Sequence, residues 1–297
     1  MNQNNNIPKI APNGVILTIK PTGITSRKWD NLVQKKLGAE KSGHSGTLDP
    51  MATGLQIVLL GNATRLSQFI VESDKKYIAK IMLGIETDTW DSEGQVICED
   101  VIDVEKIDKK IIIKNLESLK GTHLSYPPLY SSVKVDGKPL YYWTRKGIKK
   151  ELPQRKNEIF SISLLNINLP YIEFEVHSSK GTYIRWIAHE LGRLLGCGAH
   201  LTYLYRSEVG PFTYREAHDL DNILSHNIKS SQWLLSKLYP KIEIDENQAS
   251  FIKNGRKIHI EKIPECKFFL ISKEDELCAV AEPSNSEDYR LLKVFNN

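Results

Sequence analysis

Residues Leu55 to Leu60 are apolar at most positions, and they follow without a break on a thirteen-residue loop, Ser42-Gly-His-Ser-Gly-Thr-Leu-Asp-Pro-Met-Ala-Thr-Gly54. A strand of that pattern is buried on both faces, so the chain needs a central sheet with material packed above and below it. The loop holds three glycines, one histidine, several hydroxyls and a single carboxylate, Asp49. Glycine admits positive φ and lets another molecule approach closely. Loops on rigid scaffolds carry function, so this one has the shape of a site. Asp49 has two readings on local sequence. One is an Asp-Pro turn residue whose side chain caps nearby amides. The other is a carboxylate nucleophile or base displayed on a shaped loop. No Gly-Lys-Ser/Thr closes the loop as in a phosphate cradle, and no Gly-x-Ser-x-Gly makes it a hydrolase elbow.

Around this stretch the pattern mixes strands and helices. Val15 to Ile19 reads as a strand ending in the turn Lys20-Pro21-Thr22-Gly23. Thr25 or Ser26 caps a helix whose apolar face is Trp29, Leu32, Val33 and Leu37, stopped by Gly38. Ala63, Leu66, Phe69 and Ile70 mark a short helix, and Tyr77 to Leu83 alternates as a half-buried strand. Lys106 to Leu119 is a charged helix capped by Gly121, Ser131 to Val135 a strand, Asp136-Gly137 a hairpin turn, and Leu140 to Lys146 a short helix. Two strands, Ile159 to Ile167 and Ile172 to His177, precede a helix from Thr182 to Leu195, ended by Gly196, and a strand from Ala199 to Tyr205. The acidic stretch Asp88 to Gly94 invites a calcium reading, but Trp90 stands where a third-position oxygen ligand belongs. The absence of strict βαβ alternation predicts an α+β fold with a mixed, largely antiparallel central sheet flanked by helices. Asp219 to Leu238 reads as a helical connector, and from about Ile242 short strands and an Asn254-Gly255 turn predict a small β-rich domain.

A chain of 297 residues with 40% hydrophobic content suits two packed domains. A net charge of +4 permits an RNA partner without demanding one. Four dispersed cysteines form neither a zinc knuckle nor a disulfide framework, which points to a reducing cytoplasm. The polar start lacks the pattern of a signal peptide, and no apolar run approaches the roughly 18 residues of a membrane span.

The stretch Gly43–Gly54 resembles the catalytic motif of the bacterial tRNA pseudouridine-55 synthases, which act on the T-loop of tRNA. The similarity extends in order through Gly14–Pro21, Asp74–Tyr77, Gly84–Thr89, Pro127–Lys134, Ser179–Arg185 and Gly196–Leu204. The polar start predicts a disordered tail at 1–12, and the resemblance implies the pseudouridine synthase fold over residues 13–238 and an RNA-binding module of the PUA type at 239–297. It implies a reaction in which the N1–C1′ bond of uridine breaks, the base turns and rejoins through C5. Nothing is oxidised and no atom is lost, so no cofactor and no metal is expected.

The same resemblance makes Asp49 the catalytic carboxylate, adding to C6, attacking C1′ or taking a ribose proton; all three routes need it ionised. Arg185 becomes its partner, and a nearby cation lowers a carboxylate pKa; without the motif, Arg185 reads as a solvated helix residue. Tyr77 stacks on the flipped uracil, Tyr183 and Leu204 line the same pocket, and His44 holds the RNA loop open. Lys20 packs under the catalytic loop. Taken singly, Tyr77 and Leu204 read as core residues and His44 as a structural one. Lys75, Lys76, Lys134, Lys180 and Arg206 are candidate phosphate contacts, any of which also reads as a solvated charge. Ile19, Ser45 and Tyr205 depart from the family's usual residues without removing a catalytic group. The expected partner is the T-arm stem-loop of tRNA, met by a cytoplasmic monomer needing no protein partner. The rivals are a tRNA-binding protein without chemistry and a guide-RNA-dependent relative.

Overall fold

The computed structural model describes residues 11–99, 103–274, 276–285 and 288–295; most of the tail expected at 1–12 lies outside the described residues. The chain opens with β1 (Gly14–Lys20), α1 (Ser26–Leu37), β2 (Ser42–His44), β3 (Thr53–Leu60), a short α2 (Ser67–Ile70), β4 (Lys75–Leu83), β5 (Ile85–Thr87) and β6 (Val96–Glu99). It continues with α3 (Lys109–Ser118), β7 (Gly121–Ser125), the hairpin β8 (Lys134–Val135) and β9 (Lys138–Pro139), α4 (Leu140–Arg145), β10 (Arg155–Asn168), β11 (Tyr171–Ser178), α5 (Ile184–Leu195) and β12 (Ala199–Val209). After β13 (Phe212–Thr213) come α6 (Ser231–Ser236), β14 (Lys241–Glu243), α7 (Glu246–Lys253), β15 (Phe269–Lys273), β16 (Glu276–Pro283) and β17 (Tyr289–Val294).

The main sheet runs β1-β3-β12-β4-β11-β10-β7, with β2 added to β3 and β13 to β12. Its steps are antiparallel except β3–β12, where Tyr205 pairs with Thr53 and Arg206 with Gly54. The sheet is thus mixed and largely antiparallel, as the strand pattern predicts. β3 is buried along almost its whole length. One face packs under α5 and α3, in a cluster that includes Ile81, Phe174, Ile187 and Leu191.

Caps decide the helix ends where the signal is local. Thr25 accepts from the Lys28 amide and Gly38 closes α1 at φ 71°. Gly196 ends α5 at φ 72°. Elsewhere the outcome differs from expectation. The stripe α1 buries is Ser26, Trp29, Asp30 and Val33, while Leu32 is 37% exposed; the helix is turned so that two polar residues face inward. α3 starts three residues later than expected because Asp108 caps it, and Gly121 opens β7 instead of capping the helix. Only Lys134–Val135 of the strand expected at 131–135 is extended in a ladder. The connector at 219–238 is α-helical only in α6, with one 3-10 turn at Ser225–Asn227; before α6, the chain pairs with the outer edge of β1, with Val15 and Lys229 exchanging both backbone hydrogen bonds at 2.8 Å. That pairing covers an edge strand whose amides would otherwise be open.

The C-terminal sheet, β14-β15-β16-β17, carries α7, a helix absent from the sequence reading. Its strands alternate. Phe269 and Ile271 face α7, and Leu270 and Val280 join the cluster of Leu17, Leu55 and Phe69 from the main sheet.

Candidate active site

The loop between β2 and β3 is held from below by side chains that come from far along the chain. Ser26 Oγ donates to the Leu48 carbonyl at 3.0 Å and accepts from the Leu48 amide at 2.8 Å. Lys20 Nζ, fully buried, donates to the carbonyls of Pro21 and Ile24 at 2.8 Å and reaches Pro50 O at 3.4 Å. Burial lowers its pKa to about 8. Arg206, 1% exposed, donates from Nε to Leu55 O at 2.8 Å and from Nη2 to Gly46 O at 3.1 Å. Arg206 is therefore a strut under the loop, with its strand between β3 and β4 and its side chain turned inward, and it also lines the cavity at Asp49. The strand must come close for this. A Cβ on Gly54 (φ +108°) would sit 2.4 Å from the Arg206 carbonyl oxygen and 2.7 Å from its amide nitrogen. Gly54→Ala is expected to destabilise the fold by about 1–3 kcal/mol, read as a lower urea midpoint at unchanged slope.

Above these struts stands Asp49, its side chain 31% exposed. Arg185 grips it with two nitrogens, Nε at 3.0 Å from Oδ2 and Nη2 at 3.2 Å from Oδ1. The same guanidinium reaches Asp91 Oδ2 at 3.3 Å, the Thr89 carbonyl at 3.2 Å and the Tyr130 carbonyl at 3.3 Å. Asp91 is 3% exposed and takes hydrogen bonds on Oδ1 from Thr89 Oγ1 at 2.6 Å and from the Glu93 amide at 3.0 Å. One buried cation thus serves two carboxylates. The consequence reverses the expected shift. Burial raises the Asp49 pKa above the ordinary value and the Asp91 charge adds to it, while Arg185 and Lys20 pull it back without prevailing.

The loop opens onto a cavity of about 730 Å³ that Asp49, Tyr77, Tyr183, Arg185, Leu204 and His44 all line. β4 and β12 pair so that Tyr77 lies opposite Arg206 and Leu204 opposite Ala79, which puts both side chains under the loop. Tyr77 continues the core-facing row of Ala79, Ile81 and Leu83, and the Arg206 guanidinium interacts with its hydroxyl. Tyr183 precedes α5, with Arg185 over its ring at 5.9 Å; burial raises its phenol pKa. His44 Nδ1 lies 2.5 Å from Oδ2 of the fully buried Asp30, and Nε2 lies 3.2 Å from Thr47 Oγ1.

Every residue singled out as a site residue therefore comes together here. Of the candidate phosphate contacts, Lys76 pairs with Glu208 at 3.0 Å and Lys180 with Glu72 at 2.6 Å. Lys75 is 6% exposed, donates to the Val71 and Ser73 carbonyls, and has its pKa lowered to about 8 by burial. Lys134 stands exposed on the β8–β9 hairpin. Sequence reasoning missed Asp91, Asp30 and the loop-holding role of Ser26. Asp91 sits in the stretch weighed only for calcium, and Asp30 in a helix read only for its apolar residues.

Residues 34–184 match the TruB family pseudouridylate synthase N-terminal domain, and residues 185–240 match the tRNA pseudouridylate synthase B C-terminal domain. The tRNA pseudouridine synthase B of Clostridium tetani is 38% identical over 291 residues, 95% of this chain and 99% of that one. That of Aromatoleum aromaticum is 43% identical over 249 residues, 82% and 80% of the two chains. Among solved structures, a chain of a Cbf5-Nop10-Gar1 complex superimposes with a TM-score of 0.72 at 24% identity, over 95% of this chain and 84% of that one, a likeness of fold alone. The two family matches meet between Ile184 and Arg185, so both carboxylate loop and arginine helix fall inside them; with a relative alike over nearly its whole length, this chain belongs to the TruB family of pseudouridylate synthases.

Proposed function

We propose that this chain is a stand-alone tRNA pseudouridine-55 synthase. The observation that carries the reading is Asp49: a carboxylate gripped by Arg185, on the wall of a cavity lined by two tyrosines and Leu204. A cavity of this size falls within the range of about 300–1,000 Å³ usual for ligand sites. A uridine in a folded T-loop must leave its stack to enter, at a cost of a few kcal/mol. Stacking on Tyr77 offsets that cost, at about 1–3 kcal/mol per base. His44, held by Asp30, packs into the RNA loop and helps to hold it open. Ionised Asp49 then acts on the base or sugar, the N1–C1′ bond breaks, the uracil turns against Tyr77 and Leu204, and C5 bonds to C1′. The proton lost from C5 leaves to solvent and N1 gains one, so the product is an isomer. No electron leaves or enters, which is why this chemistry calls for no redox group.

The names of the relatives support tRNA as the substrate. The guide-dependent reading draws on the fold likeness to the Cbf5-Nop10-Gar1 chain, and the test separates the two. Tritium release from 5-³H-uridine in a bare T-arm stem-loop, with no guide RNA and no second protein, is expected from the wild type. A folded protein that binds the stem-loop and releases nothing would return the guide-dependent or purely binding reading.

The raised Asp49 pKa gives a pH test. Only the ionised form reacts, so the single-turnover rate is expected to fall on acidification through an apparent pKa above 3.8. Asp91→Asn removes the like charge and is expected to move that limb to lower pH; an upward move would mean that Asp91 acts chiefly by holding Arg185.

A further inference from the structure

Helix α5 grips the turn before β6 twice. Arg185 does so through the Asp91 carboxylate and the Thr89 carbonyl. One helical turn later, on the same face, His189 does so through Trp90. The imidazole lies flat on the indole, with ring centroids 4.4 Å apart and planes 12° from parallel. Behind it, Glu86 Oε1 of β5 lies 2.8 Å from His189 Nδ1 and fixes the ring.

Trp90 is a residue that needs holding. Its φ is +61°, in the left-handed region that a side chain with a Cβ enters only at a cost. Its amide donates to Thr87 O at 3.1 Å, and its carbonyl accepts from the Leu201 amide at 3.0 Å. The two groups that meet Arg185, on Thr89 and Asp91, flank it in the chain. The residue that breaks the calcium pattern of this stretch thus sits at the pivot of the turn. Neither Trp90 nor His189 lines the cavity or the recess beside Asp49.

We infer that the His189–Trp90 stack is a positioning device: it keeps the turn in its left-handed form, so that Thr89 and Asp91 hold Arg185 square to Asp49. Both are positioning residues that act through Arg185, and the assignment rests on the function proposed above.

The test measures single-turnover conversion at saturating T-arm stem-loop, and equilibrium binding of the same RNA separately. Variants are His189→Ala, His189→Phe and Trp90→Ala. His189→Ala is expected to lose about tenfold or more in rate, since a displacement of about 1 Å at a reacting group can cost far more. Its stem-loop Kd is expected to stay within about twofold, the signature of an interaction felt only in the transition state. His189→Phe keeps the aromatic face and is expected to recover most of the rate. Trp90→Ala keeps a Cβ at the left-handed position and removes the stack that holds it, so it is expected to bind the stem-loop and to be slow. A wild-type rate in His189→Ala, a rate loss matched by lost binding, or a His189→Phe as slow as His189→Ala would overturn the assignment. If His189→Ala does not fold, Trp90→Ala decides on the same two readouts. A wild type that binds RNA but converts none overturns the proposed function and this assignment together. Conversion by the wild type with an indifferent His189→Ala overturns this assignment alone.

Discussion

Asp49→Asn is expected to abolish turnover, by at least on the order of 10³-fold, and to leave stem-loop binding in place. The change removes the charge and nearly keeps the shape, so the loop struts from Ser26, Lys20 and Arg206 have no reason to move. A second expectation separates a chemical loss from a structural one. The Asp49 pKa in the fold lies above its unfolded value. Between the two values the folded protein holds more protons than the unfolded chain, so stability falls as pH rises through that window and stays lower at pH 7. Asparagine carries no such charge. Asp49→Asn is therefore expected to melt at or above the wild-type temperature at neutral pH. An inactive variant that melts well below it would be explained by misfolding, and near-normal turnover would remove Asp49 from the chemistry.

Arg185→Met is expected to have the second-largest effect, because one guanidinium serves Asp49, Asp91 and two carbonyls. Removing one partner of a buried ion pair costs about 3–5 kcal/mol, since the other charge stays buried and unpaired. Here two carboxylates are stranded. Arg185 is also the largest influence pulling the Asp49 pKa down, so its loss moves the acid limb of the rate to higher pH. The deficit is thus expected to be severe at neutral pH and to narrow as pH rises. Arg185→Lys restores the charge but not the fork that reaches several acceptors at once. The expected order of single-turnover rates is wild type, then Arg185→Lys, then Arg185→Met. If Arg185→Met weakened only RNA binding, Arg185 would be a phosphate contact instead.

The loop that carries Asp49 was legible because its information is local. Glycines at positive φ, an Asp-Pro turn and a following apolar strand lie within about twenty residues, and caps such as Thr25 and Gly196 need only their own helix. The alternation of Tyr77 to Leu83 likewise settles which side chains face the core. Asp30, Asp91 and Arg206 were not legible for the opposite reason. Each is a polar residue whose burial is tolerable only because distant groups satisfy it: His44 and Gln56 for Asp30, Arg185 for Asp91, and the Leu55 and Gly46 carbonyls for Arg206. A charge on a helix or strand reads as solvated until its partner is in place, which is why Arg206 read only as a solvated charge or a candidate phosphate contact and not as a strut.

The pKa of Asp49 follows the same division. From the sequence, an arginine partner alone implies a lowered value. The structure adds Asp91 and burial, and the sign changes. By itself the sequence determined most long strands of the main sheet, the caps at Thr25, Gly38 and Gly196 and the mixed sheet, through periodicity and turn chemistry, and its collinear motifs named Asp49, Tyr77, Tyr183, Arg185, Leu204 and His44 of the cavity. Only the tertiary structure decided which charges share one arginine, which polar residues hold the loop, and that the left-handed Trp90 lies against His189. Those outcomes depend on contacts across tens to more than a hundred residues, and no local pattern encodes the field at a buried group.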